Sequence, residues 1–217
     1  MRVVAILSEK GGAGKTTVTV HLAVAAKMAG FDTAIIDLDP QASAADWADR
    51  RGGAPEAAAV PPARLTKLLD GLRGNGAQLV IIDTGRDSHN AGYTAAQAAD
   101  LVLIPCQPGG FDFRALSRTL DLCRLAGKRP YVVLNAMQPG ATRAESDMRE
   151  ALANYECDLC PVTLYRRAAY RTASIATKTA QETEPSSVAA LEIIELYKWI
   201  NTQLGLSTIR QSAKGTT

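Results

Sequence analysis

The chain has 217 residues, of which 47% are hydrophobic and 21% are charged, a balance typical of a single folded domain with its own core. Its four cysteines do not form the pattern of a disulfide framework, so we expect a reducing, cytoplasmic environment. The apolar start is too short for a signal peptide, and no apolar run approaches the ~20 residues that span a bilayer. A net charge of +2 neither requires nor excludes nucleic acid, so a nucleic-acid surface would be a local patch.

Six short apolar segments predict β-strands. They lie at residues 2–8, 33–37, 79–83, 101–105, 131–135 and 162–165. These segments are almost continuously apolar, which indicates strands buried on both faces of a parallel sheet. Residues 52–62 contain several glycines and prolines and predict a surface loop.

Helical segments alternate with the strands. A helix at residues 16–29 ends at Gly30, and leucines spaced at i, i+3, i+4 and i+7 predict a helix with one apolar face at residues 63–73. Further helices are predicted at residues 111–126, 141–154 and 186–204. The alternation predicts a doubly wound α/β fold, with a mostly parallel sheet flanked by helices, in one domain over residues 1–206. A polar tail follows at residues 207–217.

A glycine-rich loop joins the first strand to the first helix and reads Glu-Lys-Gly-Gly-Ala-Gly-Lys-Thr-Thr over residues 9–17. Glycines let the backbone fold around a phosphate, and the helix presents its positive N-terminal end to the same anion. Lys15 is placed to reach the β- and γ-phosphates of a nucleotide, and the Thr16 hydroxyl to ligate Mg²⁺. We therefore predict that the nucleotide is bound by Gly11, Gly12, Ala13, Gly14, Lys15, Thr16 and Thr17.

This loop departs from the strict Walker pattern, because Glu9 stands where that pattern has glycine and a second lysine, Lys10, follows it. It resembles the deviant loop of the ParA/MinD family of ATPases, most of all the short partition ParA proteins, and the resemblance covers about residues 2–185. It implies ATP and Mg²⁺ as cofactors and a homodimer formed on ATP binding. Lys10 would cross the dimer interface to the partner's nucleotide, which gives Lys10 and Lys15 catalytic roles.

Two acidic segments follow predicted strands. Asp37-Leu-Asp39-Pro-Gln resembles the family's first switch, which implies that Asp39 orients the attacking water and that Asp37 supports the Mg²⁺ shell. The alternative for these carboxylates is a helix N-terminus, and both roles are compatible. Asp83 ends a Walker B pattern of four apolar residues and an acid, so we expect it to hold Mg²⁺ through a water.

The segment after the Walker B acid departs from the family pattern at Arg86. This arginine has three open interpretations: contact with the γ-phosphate, contact with the partner subunit, or an ion pair with Asp87; we assign it no catalytic role. Asn135, at the end of the fifth strand, matches the position that recognises adenine in the family, since a side-chain amide offers both a donor and an acceptor.

The resemblance also implies partners. Basic residues in the C-terminal third of ParA-like proteins bind nonspecific nucleoid DNA, and here the matching cluster is Arg166, Arg167, Arg171 and Lys178. A ParB-like centromere-binding protein or a cargo adaptor would stimulate hydrolysis. We expect no membrane partner, because the last predicted helix has a core-like stripe and places Glu192 and Glu195 on its polar side.

Two other functions remain open. The cargo is either DNA, in plasmid or chromosome partition, or a protein compartment, because the ATPase chemistry is shared. Alternatively, Cys157 and Cys160 form a C-x-x-C pair that would bridge an iron–sulfur cluster across a dimer. We favour structural cysteines, since Pro161 and an apolar strand follow directly.

Overall fold

The computed structural model describes residues 1–86, 89–108 and 113–206. Within these residues seven strands form one sheet in the order β3-β2-β4-β1-β5-β6-β7, and every neighbouring pair is parallel. The predicted doubly wound α/β fold is confirmed. The strands are β1 (Arg2–Ile6), β2 (Thr33–Asp37), β3 (Glu56–Ala59), β4 (Leu79–Asp83), β5 (Leu101–Cys106), β6 (Tyr131–Met137) and β7 (Asp158–Tyr165).

Helices connect the strands and cover both faces of the sheet. In the described residues they are α1 (Lys15–Met28), α2 (Ser43–Arg51), α3 (Leu65–Gly74), α4 (His89–Ala98), α5 (Phe113–Leu125), α6 (Thr142–Leu152), α7 (Ala168–Ile175), α8 (Ala180–Thr183) and α9 (Val188–Leu204). A short 3-10 turn at Pro62–Arg64 precedes α3. The first helix ends as predicted, with Gly30 in a left-handed conformation at φ 90°. None of these helices is long and apolar enough to cross a membrane.

Side chains that alternate along each strand feed two separate hydrophobic cores. In β1, Val4 and Ile6 face the core formed with α1, α2 and α9, while Val3 and Ala5 face the core formed with α3 to α6. This explains why the strands are continuously apolar in sequence.

The edges of the sheet differ from the sequence prediction. Strand β3 lies inside the stretch predicted to be a loop, since its alanine-rich sequence has low strand propensity and is held by parallel pairing with β2. At the other edge, β7 begins at Asp158, four residues before its predicted start. Pro161 is exposed within it, and an edge strand tolerates a proline because no neighbour needs its missing N–H.

Two predictions involve residues outside the described ranges: the first two residues of the helix at 111–126, and the whole tail at 207–217. The prediction that both Glu192 and Glu195 lie on the polar side of the last helix is wrong for Glu192. Glu192 is buried, with 8% of its surface exposed, whereas Glu195 is exposed as expected.

The parallel register brings the chemistry-bearing strand ends to one edge of the sheet. Asp37 of β2 pairs directly with Asp83 of β4, and Asp83 also lies level with Ile6 of β1. The glycine-rich loop leaves β1 at this same edge. In open α/β sheets, this edge at the carboxyl ends of the strands is where ligands bind.

Candidate functional site

The glycine-rich loop has the backbone conformation that its sequence predicts. Gly12 and Gly14 adopt left-handed conformations, with φ of 72° and 91°. The first turn of α1 starts immediately afterwards at Lys15, whose buried ammonium group donates a hydrogen bond to the Ser8 carbonyl at 2.8 Å. The loop therefore places a lysine and a helix N-terminus at one anion-binding position.

Two side-chain amides brace this loop from the far half of the sheet. Gln107, just beyond β5, donates from Nε2 to the Gly12 carbonyl at 2.7 Å, and Asn135 donates from Nδ2 to the Ala13 carbonyl at 2.8 Å. A Cβ added to Gly14 would lie 2.3 Å from Asn135 Nδ2 and would displace this amide, and the left-handed φ of Gly14 also favours glycine. Sequence reasoning missed Gln107, although its place after a strand was a usable signal; it assigned Asn135 to adenine, and that role stays a prediction.

Asp83 lies at the base of the loop and is completely buried. It accepts a hydrogen bond from Thr16 Oγ1 at 2.6 Å and one from Thr19 Oγ1 at 3.3 Å. Burial raises the pKa of Asp83 to about 7, and the nearby Asp37 charge adds to the rise, while the Thr16 hydrogen bond and Lys15 oppose it. Thr19, one helical turn into α1, is a contact that sequence reasoning did not identify.

Asp37 is also completely buried, but it is paired differently. One oxygen accepts the backbone N–H of Asp39 at 2.9 Å, and the other accepts those of Ala44 and Ala45 at 2.8 and 3.2 Å. Burial raises the pKa of Asp37, and these three N–H groups oppose the rise. The Asp37 carboxylate thus holds the start of α2, as the alternative role at a helix N-terminus predicted. Its predicted support of the Mg²⁺ shell stays a prediction.

Asp39 and Arg86 both line a cavity of about 680 Å³ that the glycine-rich loop also lines. A Cβ added to Gly85 would lie 3.0 Å from Asp39 Oδ1, so the chain after Asp83 runs against this carboxylate. Arg86 lies beside Gly11, whose added Cβ would be 3.3 Å from Arg86 Cδ. The structure therefore places Arg86 at the phosphate-binding loop; the alternative partner, Asp87, is outside the described residues.

The predicted basic cluster separates into two groups. Arg166, Arg171 and Lys178 are exposed, as a DNA contact requires. Arg167 is instead committed to Glu192: its Nε and Nη2 lie 3.1 and 2.7 Å from Glu192 Oε1. Arg167 therefore has a structural role in this ion pair, and its predicted contact with DNA stays a prediction.

The two cysteines of the C-x-x-C pair face opposite sides of the sheet. Cys157 belongs to the core under α3 to α6, and Cys160 to the core under α1 and α9. Both are buried, and burial raises the pKa of each thiol, that of Cys160 to about 12. A shared cluster needs both thiolates on one surface, so this geometry contradicts the iron–sulfur alternative.

The residues at the loop fit a magnesium–nucleotide ligand. The available donors are all oxygens, from the Thr16 hydroxyl and the carboxylates of Asp83 and Asp37, which suits Mg²⁺. The described residues hold no group of three or more His, Cys, Asp or Glu side chains able to ligate a metal. Mg²⁺ in nucleotide sites is commonly held by one or two carboxylates together with substrate phosphates. A bound Mg²⁺ would add positive charge beside the buried Asp83, whose pKa burial raises to about 7.

Comparisons with known proteins agree with this geometry. Residues 4–179 match the family described as CobQ/CobB/MinD/ParA nucleotide binding domain. The chain is 35% identical over 194 residues to maintenance of carboxysome distribution protein A from Gloeobacter kilaueensis, covering 84% of this chain and 89% of that one. It is 33% identical over 126 residues to protein ParA from Rhizobium radiobacter, covering 56% of each chain.

Solved structures share the fold at low sequence identity. One is cobyrinic acid a,c-diamide synthase from Mycobacterium smegmatis with bound ADP and magnesium. It superposes with a TM-score of 0.74 and 16% identity, over 96% of this chain and 97% of that one. At this identity the structural likeness establishes the α/β architecture alone. Membership of a family rests on the sequence match over residues 4–179.

Proposed function

Since the chain belongs to the CobQ/CobB/MinD/ParA nucleotide-binding domain family, we propose that it is a ParA-like ATPase that forms a homodimer on ATP·Mg²⁺ and separates after hydrolysis. The family predicted from the deviant loop is thereby confirmed. The observation that carries the proposal is the meeting of the glycine-rich loop, buried Lys15 and the Thr16–Asp83 contact at one edge of the sheet.

Each residue of the site has a proposed role. The loop N–H groups and Lys15 bind the phosphates, while Thr16 and Asp83 hold Mg²⁺, which supplies positive charge against the phosphate oxygens. Asp39 orients the attacking water, and Lys10 of each subunit enters the site of the other. A second lysine there stabilises the negative charge that grows on the transferred phosphoryl group.

The proposed partner surface is DNA. The exposed cations Arg166, Arg171 and Lys178 lie before, in and after α7, and a dimer doubles their number. Such a surface binds phosphates without reading sequence and is weakened by salt. In this proposal the dimer sits on nucleoid DNA until a ParB-like adaptor, bound to a plasmid or chromosome, stimulates hydrolysis and release.

A second candidate function has a specific observation in its favour. A relative that is 35% identical across most of both chains is named for carboxysome distribution. The same ATPase cycle would then position a protein compartment. Deletion of the gene in its host separates the two: loss of a plasmid or chromosome from daughter cells supports partition, whereas clustering of a protein compartment with normal DNA inheritance supports the second function.

The experiment that tests the proposal measures the oligomeric state by light scattering with ATP, with ADP and without nucleotide, each with and without nonspecific duplex DNA. We expect a dimer with ATP only, which binds the duplex and leaves it at high salt. An unchanged oligomeric state in all three conditions would refute the nucleotide switch. An ATP-dependent dimer that does not bind DNA would refute the proposed DNA surface, while the nucleotide-dependent switch would still hold.

Two lysine substitutions refine this test. Lys15→Ala should abolish nucleotide binding, because it removes the buried cation of the loop. Lys10→Ala should retain ATP binding but lose the dimer, because its proposed target is the other subunit's nucleotide. Lys67→Ala, an exposed lysine on α3, is the matched control and should behave as the parent protein. ATP-dependent dimers of the Lys10 variant would rule out the cross-subunit role.

A further inference from the structure

Glu9 is a buried acid at an unexpected position in the glycine-rich loop. Its side chain is 5% exposed, and neither carboxylate oxygen has a hydrogen-bond partner among the described residues. Its backbone N–H donates a hydrogen bond to Thr119 Oγ1 of α5 at 3.2 Å. Burial of a carboxylate without hydrogen bonds is costly, so the Glu9 side chain depends on positive groups close to it.

Two nitrogen-bearing side chains, an imidazole and a guanidinium, approach this carboxylate from neighbouring helices. His89 Nδ1, from the first residue of α4, lies 3.4 Å from Oε1, and Arg118 Nη1, from α5, lies 3.9 Å from Oε2. The N-terminal end of α4 adds the positive pole of a helix. Glu9, which belongs to the glycine-rich loop, therefore contacts both the start of α4 and α5.

The start of α4 is tied to the site through the chain that precedes it. Two residues separate His89 from Arg86, and Arg86 lies against Gly11 of the loop. The residue before it, Gly85, lies against the Asp39 carboxylate. Holding His89 in place consequently limits where Gly85 and Arg86 can lie.

We propose that Glu9 is a positioning residue: its negative charge anchors the start of α4 to the glycine-rich loop and thereby sets the Gly85–Arg86 segment beside Asp39. The inference rests on the proposed ATPase function and extends it to a residue that contacts neither phosphate nor Mg²⁺ in that proposal. Because Asp39 orients the water, a misplaced segment slows hydrolysis more than it weakens nucleotide binding.

The test compares steady-state ATP hydrolysis of Glu9→Gln with that of the parent protein. Gln has the same shape without the charge, so we expect kcat to fall about tenfold while KM for ATP changes less than about twofold. Glu9→Asp keeps the charge and should lose less than Glu9→Gln. Thermal unfolding of each variant shows whether it is folded. An unchanged kcat in Glu9→Gln, or a loss confined to KM, would overturn the proposal.

A double-mutant cycle tests the anchor itself. His89→Ala removes an exposed side chain and should lower kcat in the same direction, and the Glu9→Gln/His89→Ala double variant should be no slower than the slower single variant. Losses that multiply would overturn the anchor. Arg124→Ala, on the same helix as Arg118 but paired with Asp121 at the surface, is the matched control and should leave kcat unchanged.

Lys15→Ala separates failure of this inference from failure of the proposed function. If Lys15→Ala abolishes hydrolysis and Glu9→Gln does not lower it, the ATPase assignment stands and the positioning role falls. If Lys15→Ala hydrolyses ATP as fast as the parent protein, the site assignment fails, and the role of Glu9 fails with it.

Discussion

Three buried carboxylates surround the glycine-rich loop, and each has a different environment. Asp37 accepts hydrogen bonds from three backbone N–H groups, and Asp83 accepts them from two threonine hydroxyls. Among the described residues, the Glu9 carboxylate has ion-pair contacts with His89 and Arg118, at 3.4 and 3.9 Å, but no hydrogen bond. Backbone N–H groups at a helix start satisfy a charge well, whereas neutral hydroxyls satisfy it less well. Asp83 is accordingly less well compensated than Asp37, and burial raises the pKa of Asp83 to about 7.

The raised pKa of Asp83, about 7, predicts how stability depends on pH in the absence of nucleotide and Mg²⁺. Between about pH 4 and pH 7 the folded protein holds a proton that the unfolded chain has released, so the contribution of Asp83 to stability falls as pH rises. Asp83→Asn lacks this titration. We expect the variant to be more stable than the parent at pH 8, by on the order of 3 kcal/mol, and the gap to close towards pH 4.

Urea unfolding of both proteins across this pH range measures the gap. Burial lowers the pKa of His21 to about 4, so the contribution of His21 to stability falls as pH falls. This contribution is the same in both proteins and cancels in the difference. Asp70→Asn, at an exposed acid on α3, is the control and should show a far smaller gap. A gap for Asp83→Asn that is the same at pH 5 and pH 8 would contradict the assigned pKa.

The contact between Gly85 and Asp39 predicts a second residue-level effect. In Gly85→Ala the new methyl group would lie 3.0 Å from Asp39 Oδ1, so the carboxylate must move. We expect kcat for ATP hydrolysis to fall about tenfold or more, with a smaller change in nucleotide affinity. Gly53→Ala is the control, since its added Cβ meets nothing within 4 Å. Equal kcat values in the two variants would show that the position of Asp39 is unimportant for hydrolysis.

At the scale of elements, the sequence predicts best where local pattern and burial agree. β1, β2 and β4 are continuously apolar and central, and α1 lies between a glycine loop and a glycine stop, so each was found within a residue or two. β3 was missed because Glu56–Ala59 is rich in alanine and forms a strand through its pairing with β2. The start of β7 was missed because Pro161 lies inside the strand, and a proline argues against a strand in sequence.

Site residues follow the same division. The loop, Asp37 and Asp83 were placed correctly at one edge because motif spacing and strand order determine that edge. Gln107, Gly85 and the ion pair of Arg167 with Glu192 were missed, because each depends on a contact between residues far apart in sequence. The local sequence around Glu192 does not indicate that it pairs with Arg167, which lies 25 residues earlier in the chain.

The partly buried ion pair between Arg167 and Glu192 predicts that Glu192 holds α9 in place. Its Oε1 accepts both Arg167 bonds, and its Oε2 accepts the Tyr165 N–H at 3.2 Å and the Tyr170 hydroxyl at 3.3 Å. Glu192→Gln leaves the Arg167 charge unpaired, so we expect the free energy of unfolding to fall by about 2 to 4 kcal/mol in urea titrations. Glu195→Gln, exposed on the same helix, should change it by less than about 0.5 kcal/mol. Similar losses in both variants would contradict the fastening role.

At the scale of the whole molecule, the two faces of the sheet carry different surfaces. The exposed cations beside α7 lie on the side covered by α1 and α9, where Tyr170 packs. Helices α3 and α5 cover the opposite side and carry other exposed cations. A DNA surface formed by one side therefore predicts that the position of a charge matters, and not merely the net charge of the protein.

The last prediction compares two triple variants with equal loss of charge. The first removes Arg166, Arg171 and Lys178; the second removes Lys67, Arg73 and Arg124. We expect the first to weaken ATP-dependent binding to nonspecific duplex DNA and to lower the slope of log K against log salt by up to about three per subunit, while the second binds nearly as the parent protein. Fluorescence anisotropy from 50 to 300 mM salt, on the order of the physiological range, measures both. Equal weakening would show that net charge alone attracts DNA, and unimpaired binding by the first variant would move the DNA surface away from α7.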